Sequence, residues 1–207
     1  MENQTSNKEI ISLGLRLLII TAIAGLILGW AYKITLEPIK QQNIKANNEA
    51  MKEVLPSAEG FQKVGDVTPE AGETLELQLA AEGKVTEVYV AQKGSDAVGY
   101  AVKVAPKGYA GLIEMMVGIS NEGKVEGIKI LNHSETPGLG ANAPNPEFSG
   151  QYAGKSIDKP ITVVKAPPSG GNEVQALTGA TITSKAVTAG VNDAVDFFNS
   201  ELKGGQK

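Results

Sequence analysis

Ile113-Glu114-Met115-Met116-Val117-Gly118-Ile119-Ser120-Asn121-Glu122-Gly123-Lys124-Val125-Glu126-Gly127-Ile128-Lys129-Ile130-Leu131 is the stretch that decides the fold of this chain. Ile113, Met115, Val117 and Ile119 recur at every second position, the period of a strand that lays one face on a core. Val125 to Leu131 is a second such run. Asn121-Glu122-Gly123 joins the two, with Gly123 at the position where a tight turn needs positive φ. The stretch therefore predicts an antiparallel β-hairpin.

Working outward, Val98, Tyr100, Val102 and Val104 alternate with Ala97, Gly99, Ala101 and Lys103, which predicts a half-buried strand before the hairpin. Val85–Val90 and Ile161–Val164 read as two more strands. The period then changes. Val187, Val191, Ala194, Val195, Phe198 and Leu202 recur at intervals of three and four, the pattern of an amphipathic helix packing on a sheet, and Gly204-Gly205 stops it. Strands joined by hairpins and followed by a helix predict an α+β domain, an antiparallel sheet with packed helices, and no internal repeat is evident.

The N-terminal part is of another kind. Residues 1–9 are polar and read as disordered. Residues 10–34 are almost wholly apolar, interrupted by Arg16 near the start. About 20 residues of helix cross the hydrocarbon layer, and this run supplies them if Arg16 snorkels to one interface while Trp30 and Tyr32 sit at the other. Gly29 and Ala31 offer a small-residue cleavage site, but the run is long for a signal peptide. It is apolar all round, unlike a core helix with one buried stripe. The reading is a single uncleaved anchor in contact with membrane lipid. Lys8 and Arg16 precede it and Lys33, Lys40 and Lys45 follow it, so charge does not orient it. Residues 35–56 read as a separate juxtamembrane helix: Pro38 suits its first turn, Ile39, Asn43, Ala46, Ala50 and Val54 form a loose stripe, and Pro56 ends it. Residues 57–207 make the domain.

Composition excludes whole classes of chemistry. The 207 residues carry a net charge of −4 and Arg16 as the only arginine, which argues against nucleic-acid binding and against an arginine cluster for phosphate. With no cysteine there is no disulfide, thiolate metal site, iron–sulfur ligation or cysteine nucleophile. With His133 as the single histidine, no multi-histidine metal site is available, and no metal site is expected.

Two loops carry the chemistry. His133-Ser134-Glu135-Thr136-Pro137-Gly138-Leu139-Gly140 follows the second hairpin strand; Pro137 fixes φ and the glycines permit a tight path. Leu177-Thr178-Gly179-Ala180-Thr181-Ile182-Thr183-Ser184 packs four hydroxyl side chains and a glycine ahead of the helix. A helix N-terminus presents unpaired N–H groups and the positive end of its dipole, so it favours a phosphate, and the hydroxyls here are groups a phosphate can esterify. The plainer reading is a helix cap, the commonest use of Thr and Ser at that position. The residues alone leave both open.

Thr178-Gly179-Ala180-Thr181-Ile182-Thr183 resembles the [ST]-G-A-T-x-[ST] signature of the covalent FMN-binding domain, which occurs in the G subunit of the Rnf electron-transport complex and in the C subunit of the sodium-pumping NADH:quinone reductase. The His133–Gly140 loop is similar to the second marker of those subunits. Anchor, juxtamembrane helix and both motifs follow the family order, and the compact length suits the Rnf member. One departure is visible: Gln175 stands where the family often has an Asp, three residues before the first hydroxyl.

The resemblance implies that Thr183 carries FMN through a phosphodiester to its side-chain oxygen. The helix, expected to begin around Thr183 or Ser184, would favour that charge by about 0.3–1 kcal/mol. Gly179 and Ala180 would leave room for close approach, Thr178, Thr181 and Ser184 would donate hydrogen bonds, and Lys185 would neutralise the phosphate. Glu135 and Thr136 are expected at the polar edge of the isoalloxazine ring and Leu139 and Met115 at its apolar edge; His133 either touches the flavin or supports the loop. The implied function is electron transfer within a membrane-bound ferredoxin:NAD oxidoreductase coupled to ion translocation, with no catalytic residue in this chain. The implied partners are the other membrane and redox subunits and an FMN-attaching transferase. The implied location is the inner (cytoplasmic) membrane, with the C-terminal domain on the extracytoplasmic side. A free-standing anchored flavoprotein reductase, the C subunit of the quinone reductase and a non-catalytic anchored binding domain are the alternatives.

Overall fold

The computed structural model describes residues 7–64 and 85–203, in two compact units, residues 1–45 and 46–207. Helix α1 runs from Asn7 to Val54 without a break. Asn7, Lys8 and Glu9 are therefore helical, contrary to the disorder expected of residues 1–9; residues 1–6 lie outside the described residues. The two segments read as anchor and juxtamembrane helix are one helix, with Pro38 inside it rather than in a first turn. The physical reason is that proline removes a single backbone bond, here the one to the Ile34 carbonyl, while helix-forming sequence on both sides keeps the rest of the ladder. Pro56 does set the end, because the residue before a proline is pushed out of the helical region and the helix stops at Val54.

From Ile10 to Ile34 the large apolar side chains of α1 are exposed, Leu26 at 74% and Leu28 at 70%. Such a surface is stable in lipid and not in water, and α1 is long and apolar enough to cross a membrane.

The 46–207 unit is built on a six-stranded antiparallel meander in the order β1 (Gly60–Lys63), β2 (Val85–Lys93), β3 (Asp96–Val104), β4 (Glu114–Ser120), β5 (Lys124–Asn132) and β6 (Lys155–Ser156). The hairpin forms where the sequence places it, with Ser120 opposite Lys124 and Gly123 at φ +84°. A short helix α2 (Pro146–Ser149) lies between β5 and β6. Then β7 (Thr162–Val164) pairs with β8 (Glu173–Gln175) in parallel, so the strand expected at Ile161–Val164 exists but does not join the antiparallel sheet. Helix α3 (Thr181–Phe197) closes the unit and continues as a π-helical turn over Phe198–Leu202; Gly204-Gly205 lies outside the described residues.

The sheet is covered on both faces. Val187, Val191, Ala194, Val195, Phe198 and Leu202 of α3 and its continuation are all buried in the main core, with Val102, Val104, Met115, Val117 and Ile119 from the strands. The other face receives the last turns of α1: Ala50, Met51, Val54 and Leu55 pack on Ala91, Ala101 and Met116. The alternation in β4 and β3 thus marks two buried faces instead of one wet and one dry. Gly118 allows the second contact, since a Cβ there would sit 2.3 Å from the Val54 carbonyl oxygen.

Candidate functional site

The site is assembled from three loops at one end of the sheet. Strand β5 delivers the His133–Gly140 loop, whose turn is held by the Leu139 and Ala141 N–H groups, both donating to the Thr136 carbonyl at 3.1 Å. His133 supports this loop: its Nδ1 accepts a 3.2 Å hydrogen bond from the Glu135 backbone N–H. The β3–β4 connection is closed by the Gly108 N–H on the Gly111 carbonyl at 2.7 Å and the Ile113 N–H on the Pro106 carbonyl at 2.9 Å. The third loop is the turn into α3. Gly179 adopts φ +76°, the Leu177 N–H donates to Ser184 Oγ at 2.9 Å, and Ser184 Oγ donates to the Ala180 carbonyl at 2.9 Å.

Helix α3 begins at Thr181, two residues earlier than the sequence suggests, because the Ser184 hydroxyl ties the preceding turn into the helical path. Its N-cap is Ala180, and no side chain caps it. The hydroxyl run is therefore not a capping device. The first turn of α3 lines the cleft, and the first N–H groups of a helix have no partner within it, the arrangement that attracts an anion.

Glu135 is the centre of the arrangement. It is buried, and one carboxylate oxygen accepts the Ala110 N–H at 2.9 Å while the other accepts the hydroxyl of Thr183. Burial pushes this carboxyl up, but the hydrogen bonds from Thr183 and from the Ala110, Tyr109 and Gly111 N–H groups together outweigh it and hold the group below the usual glutamate range. Two glycines make room. A Cβ at Gly108 would lie 2.5 Å from Glu135 Oε1, and one at Gly140 would lie 2.5 Å from Thr183 Oγ1 and 2.7 Å from Glu135 Oε2.

Above this pair opens a cleft of about 480 Å³, lined by Glu135, Thr136, Leu139, Gly140, Tyr109 and the Gly179–Thr183 turn. That volume lies in the range of small-molecule sites. Of the residues singled out from sequence, Glu135, Thr136, Leu139, Gly179, Ala180, Thr181 and Thr183 meet here. Thr178 and Lys185 do not line the cleft. Ser184 is fully buried and its hydroxyl is spent on the turn. Met115, expected against the ring, is instead wholly buried in the core, where its side chain sits against Gly190 of α3: the inward face of β4 points under the helix, not into the cleft. Gln175 lies in β8, its backbone held by the Gln151 side chain at 2.7 and 3.3 Å.

Tyr109, Gly140 and Ile182 line the cleft without having been singled out for it. Tyr109 had a readable signal, an aromatic residue inside the glycine-bracketed turn Gly108-Tyr109-Ala110-Gly111. Gly140 stands in the quoted motif, but its role as a gap for two side chains depends on residues far away in sequence.

The fold and the cleft define a cofactor-binding domain that follows a long apolar helix, with a helix N-terminus for a phosphate, threonine hydroxyls beside it and apolar walls at Tyr109, Leu139 and Ile182. Comparison agrees: residues 108–196 match the FMN-binding domain family. Three relatives match nearly end to end. They are the G subunit of the Na+-translocating ferredoxin:NAD+ oxidoreductase complex of Acetobacterium woodii (40% identical, 95% of each chain), that of the proton-translocating complex of Clostridium ljungdahlii (38%, 95% of each) and that of the ion-translocating oxidoreductase complex of Methanosarcina acetivorans (32%, 95% of this chain and 98% of the relative). The chain belongs to the family of G subunits of ion-translocating oxidoreductase complexes. Its fold is that of the C subunit of the Na+-translocating NADH-quinone reductase from Parabacteroides distasonis, whose crystal structure matches with a TM-score of 0.61 at 21% identity over 83% of this chain and 98% of that one.

Proposed function

We propose that this chain is an electron-transfer subunit of a membrane-bound ferredoxin:NAD+ oxidoreductase complex coupled to ion translocation, and that it carries FMN as a phosphodiester on Thr183. FMN is the cofactor of the matched domain, and the relatives with this full-length organisation are subunits of such complexes. The observation that carries the attachment site is the position of the Thr183 hydroxyl: it lies on the floor of the cleft, in the first turn of an uncapped helix, on a buried carboxylate. Thr181 also lines the cleft, but among the described residues Thr183 is the hydroxyl held by Glu135.

When bound, FMN supplies the redox chemistry. The residues of this chain hold and orient it. The N-terminus of α3 favours its phosphate, Gly179 lets the backbone come close, and Tyr109, Leu139 and Ile182 offer apolar surface to the ring. The anchor keeps the site within reach of membrane-embedded partner subunits. An FMN-attaching transferase supplies the bond, and the domain stands on the extracytoplasmic side.

Intact mass of the full chain, produced with the attaching transferase, tests the reading. An FMN-sized increment is expected, lost in Thr183→Val and kept in Thr178→Val. Covalent flavin on Thr183→Val would refute the assignment. The chain has no cysteine, so Glu147→Cys gives a label site with no background. Labelling of intact cells by a membrane-impermeant maleimide supports the external placement, and labelling only after lysis contradicts it.

A further inference from the structure

The hydrogen bond between Thr183 and Glu135 bears on how the flavin is attached. The Thr183 hydroxyl donates to Glu135 Oε2, and an esterified oxygen has no proton to donate. This hydrogen bond therefore belongs to the unmodified chain. It directs the hydroxyl proton at a carboxylate that is anchored on its other oxygen by the Ala110 N–H and confined between Gly108 and Gly140. A neutral threonine hydroxyl is a weak nucleophile, and a positioned base within hydrogen-bond reach is the usual means of activating one. Glu135 is such a base.

We propose that Glu135 takes the Thr183 hydroxyl proton as the flavin phosphate is attached, so that the substrate chain supplies part of the catalytic apparatus for its own modification. The proposal rests on the reading that Thr183 is the acceptor. Joining a hydroxyl to a free phosphate monoester expels water and runs uphill in water, so the donor must be activated. Its chemical class is a flavin nucleotide whose phosphate is held in a phosphoanhydride. In the step, the Thr183 Oγ1–H bond breaks and the proton passes to Glu135 Oε2. The Oγ1–P bond forms as the bridging P–O bond of the anhydride breaks. The nucleotide phosphate leaves with the electron pair, nothing is oxidised or reduced, and Glu135 returns its proton to water. Oε2 rather than Oε1 is the accepting atom, because the Ala110 N–H holds the other oxygen.

The test is the rate of covalent flavin incorporation into the full-length chain in detergent, with the attaching transferase and a flavin dinucleotide, followed by intact mass. Glu135→Gln keeps a carbonyl for the Ala110 N–H but removes the base. It is expected to slow incorporation about tenfold or more, less than the roughly 10²–10⁴-fold of a base tuned toward neutrality, because its hydrogen bonds hold Glu135 below the usual glutamate range. Glu135→Ala opens space where the carboxylate stood, and added formate is expected to restore part of its rate in proportion to concentration. A merely structural role for Glu135 gives no formate response. Glu135→Gln within threefold of the wild-type rate, or Glu135→Ala slowed but indifferent to formate, would overturn the role of Glu135 while Thr183 stands. Covalent flavin on Thr183→Val would remove the acceptor, and this proposal with it. If Glu135→Ala fails to fold, judged by its melting curve, the Glu135→Gln rate decides.

Discussion

Gly140→Ala puts the packing of the site to a direct test. The glycine does not occupy a left-handed conformation, so alanine is compatible with its backbone, and the effect is one of space. The new Cβ would lie 2.5 Å from Thr183 Oγ1, 2.7 Å from Glu135 Oε2 and 3.0 Å from Glu135 Cβ. Ordinary contact begins near 3.4 Å, so the first two gaps are short by about 0.9 and 0.7 Å. Neither neighbour yields without loss. Glu135 is pinned by the Ala110 N–H, and Thr183 is part of α3. Relief must come from parting the two side chains, which breaks a hydrogen bond to a charged group. Overpacking costs about 1–3 kcal/mol and such a bond about 1.5–3 kcal/mol; sharing one relaxation, they amount to about 2–3 kcal/mol. For a domain of this size that is a fall in Tm of about 4–12 °C. Thermal melts of the full chain read the stability, and intact mass after exposure to the attaching transferase reads covalent flavin, which is expected to drop at least tenfold. Gly150→Ala is the control, since a Cβ there meets nothing within 4 Å. A Gly140→Ala chain that melts within a degree of wild type and takes up flavin at the same rate would refute the geometry assigned to Glu135 and Thr183.

Buried polar groups give two further outcomes. Because Glu135 is held below its unfolded value, it stabilises the fold above the ordinary glutamate pKa of about 4.3, and that contribution is lost as pH falls through its lower folded value. The difference in Tm between wild type and Glu135→Gln is therefore expected to be widest near neutrality and to close below about pH 4; a gap unchanged from pH 7 to pH 3 would contradict this. In the core, Thr188 Oγ1 donates to the Ser184 carbonyl at 2.9 Å, so the 2.7 Å bond with Tyr152 must be donated by the tyrosine hydroxyl. Thr188→Val strands that buried donor and is expected to cost about 1–3 kcal/mol in urea unfolding, whereas Tyr152→Phe leaves Thr188 its carbonyl partner and is expected to cost about 0.5–1.5 kcal/mol. The reverse order would refute the donor assignment.

Much of the fold is legible in the order of residues alone. The hairpin around Gly123 and the buried stripe of α3 rest on a period of two, a turn glycine and a period of 3.6, all written within a few residues of one another. The same locality explains the errors. Pro38 reads as a helix start because its effect is local, yet the helix around it is long enough to pass through. Met115 reads as a ring contact because it sits near the right loops in sequence, but β4 turns it beneath α3. The pairing of β7 with β8 in parallel carries no local mark, since it depends on how the connection crosses between them.

The sequence by itself determined the long apolar helix, the antiparallel core and the two loops, because length, periodicity and glycine placement act over short stretches of chain. The resemblance of its motifs pointed to Thr183. Only the tertiary structure decided which hydroxyls face the cleft, that Ser184 is spent on holding the turn, and that Thr183 meets Glu135 across 48 residues of sequence. That contact requires β5, the β3–β4 turn and the start of α3 to converge, and it closes only because Gly108 and Gly140 have no side chains to stand in the way. No local pattern encodes such an absence at a distance; folding has to bring the empty spaces together.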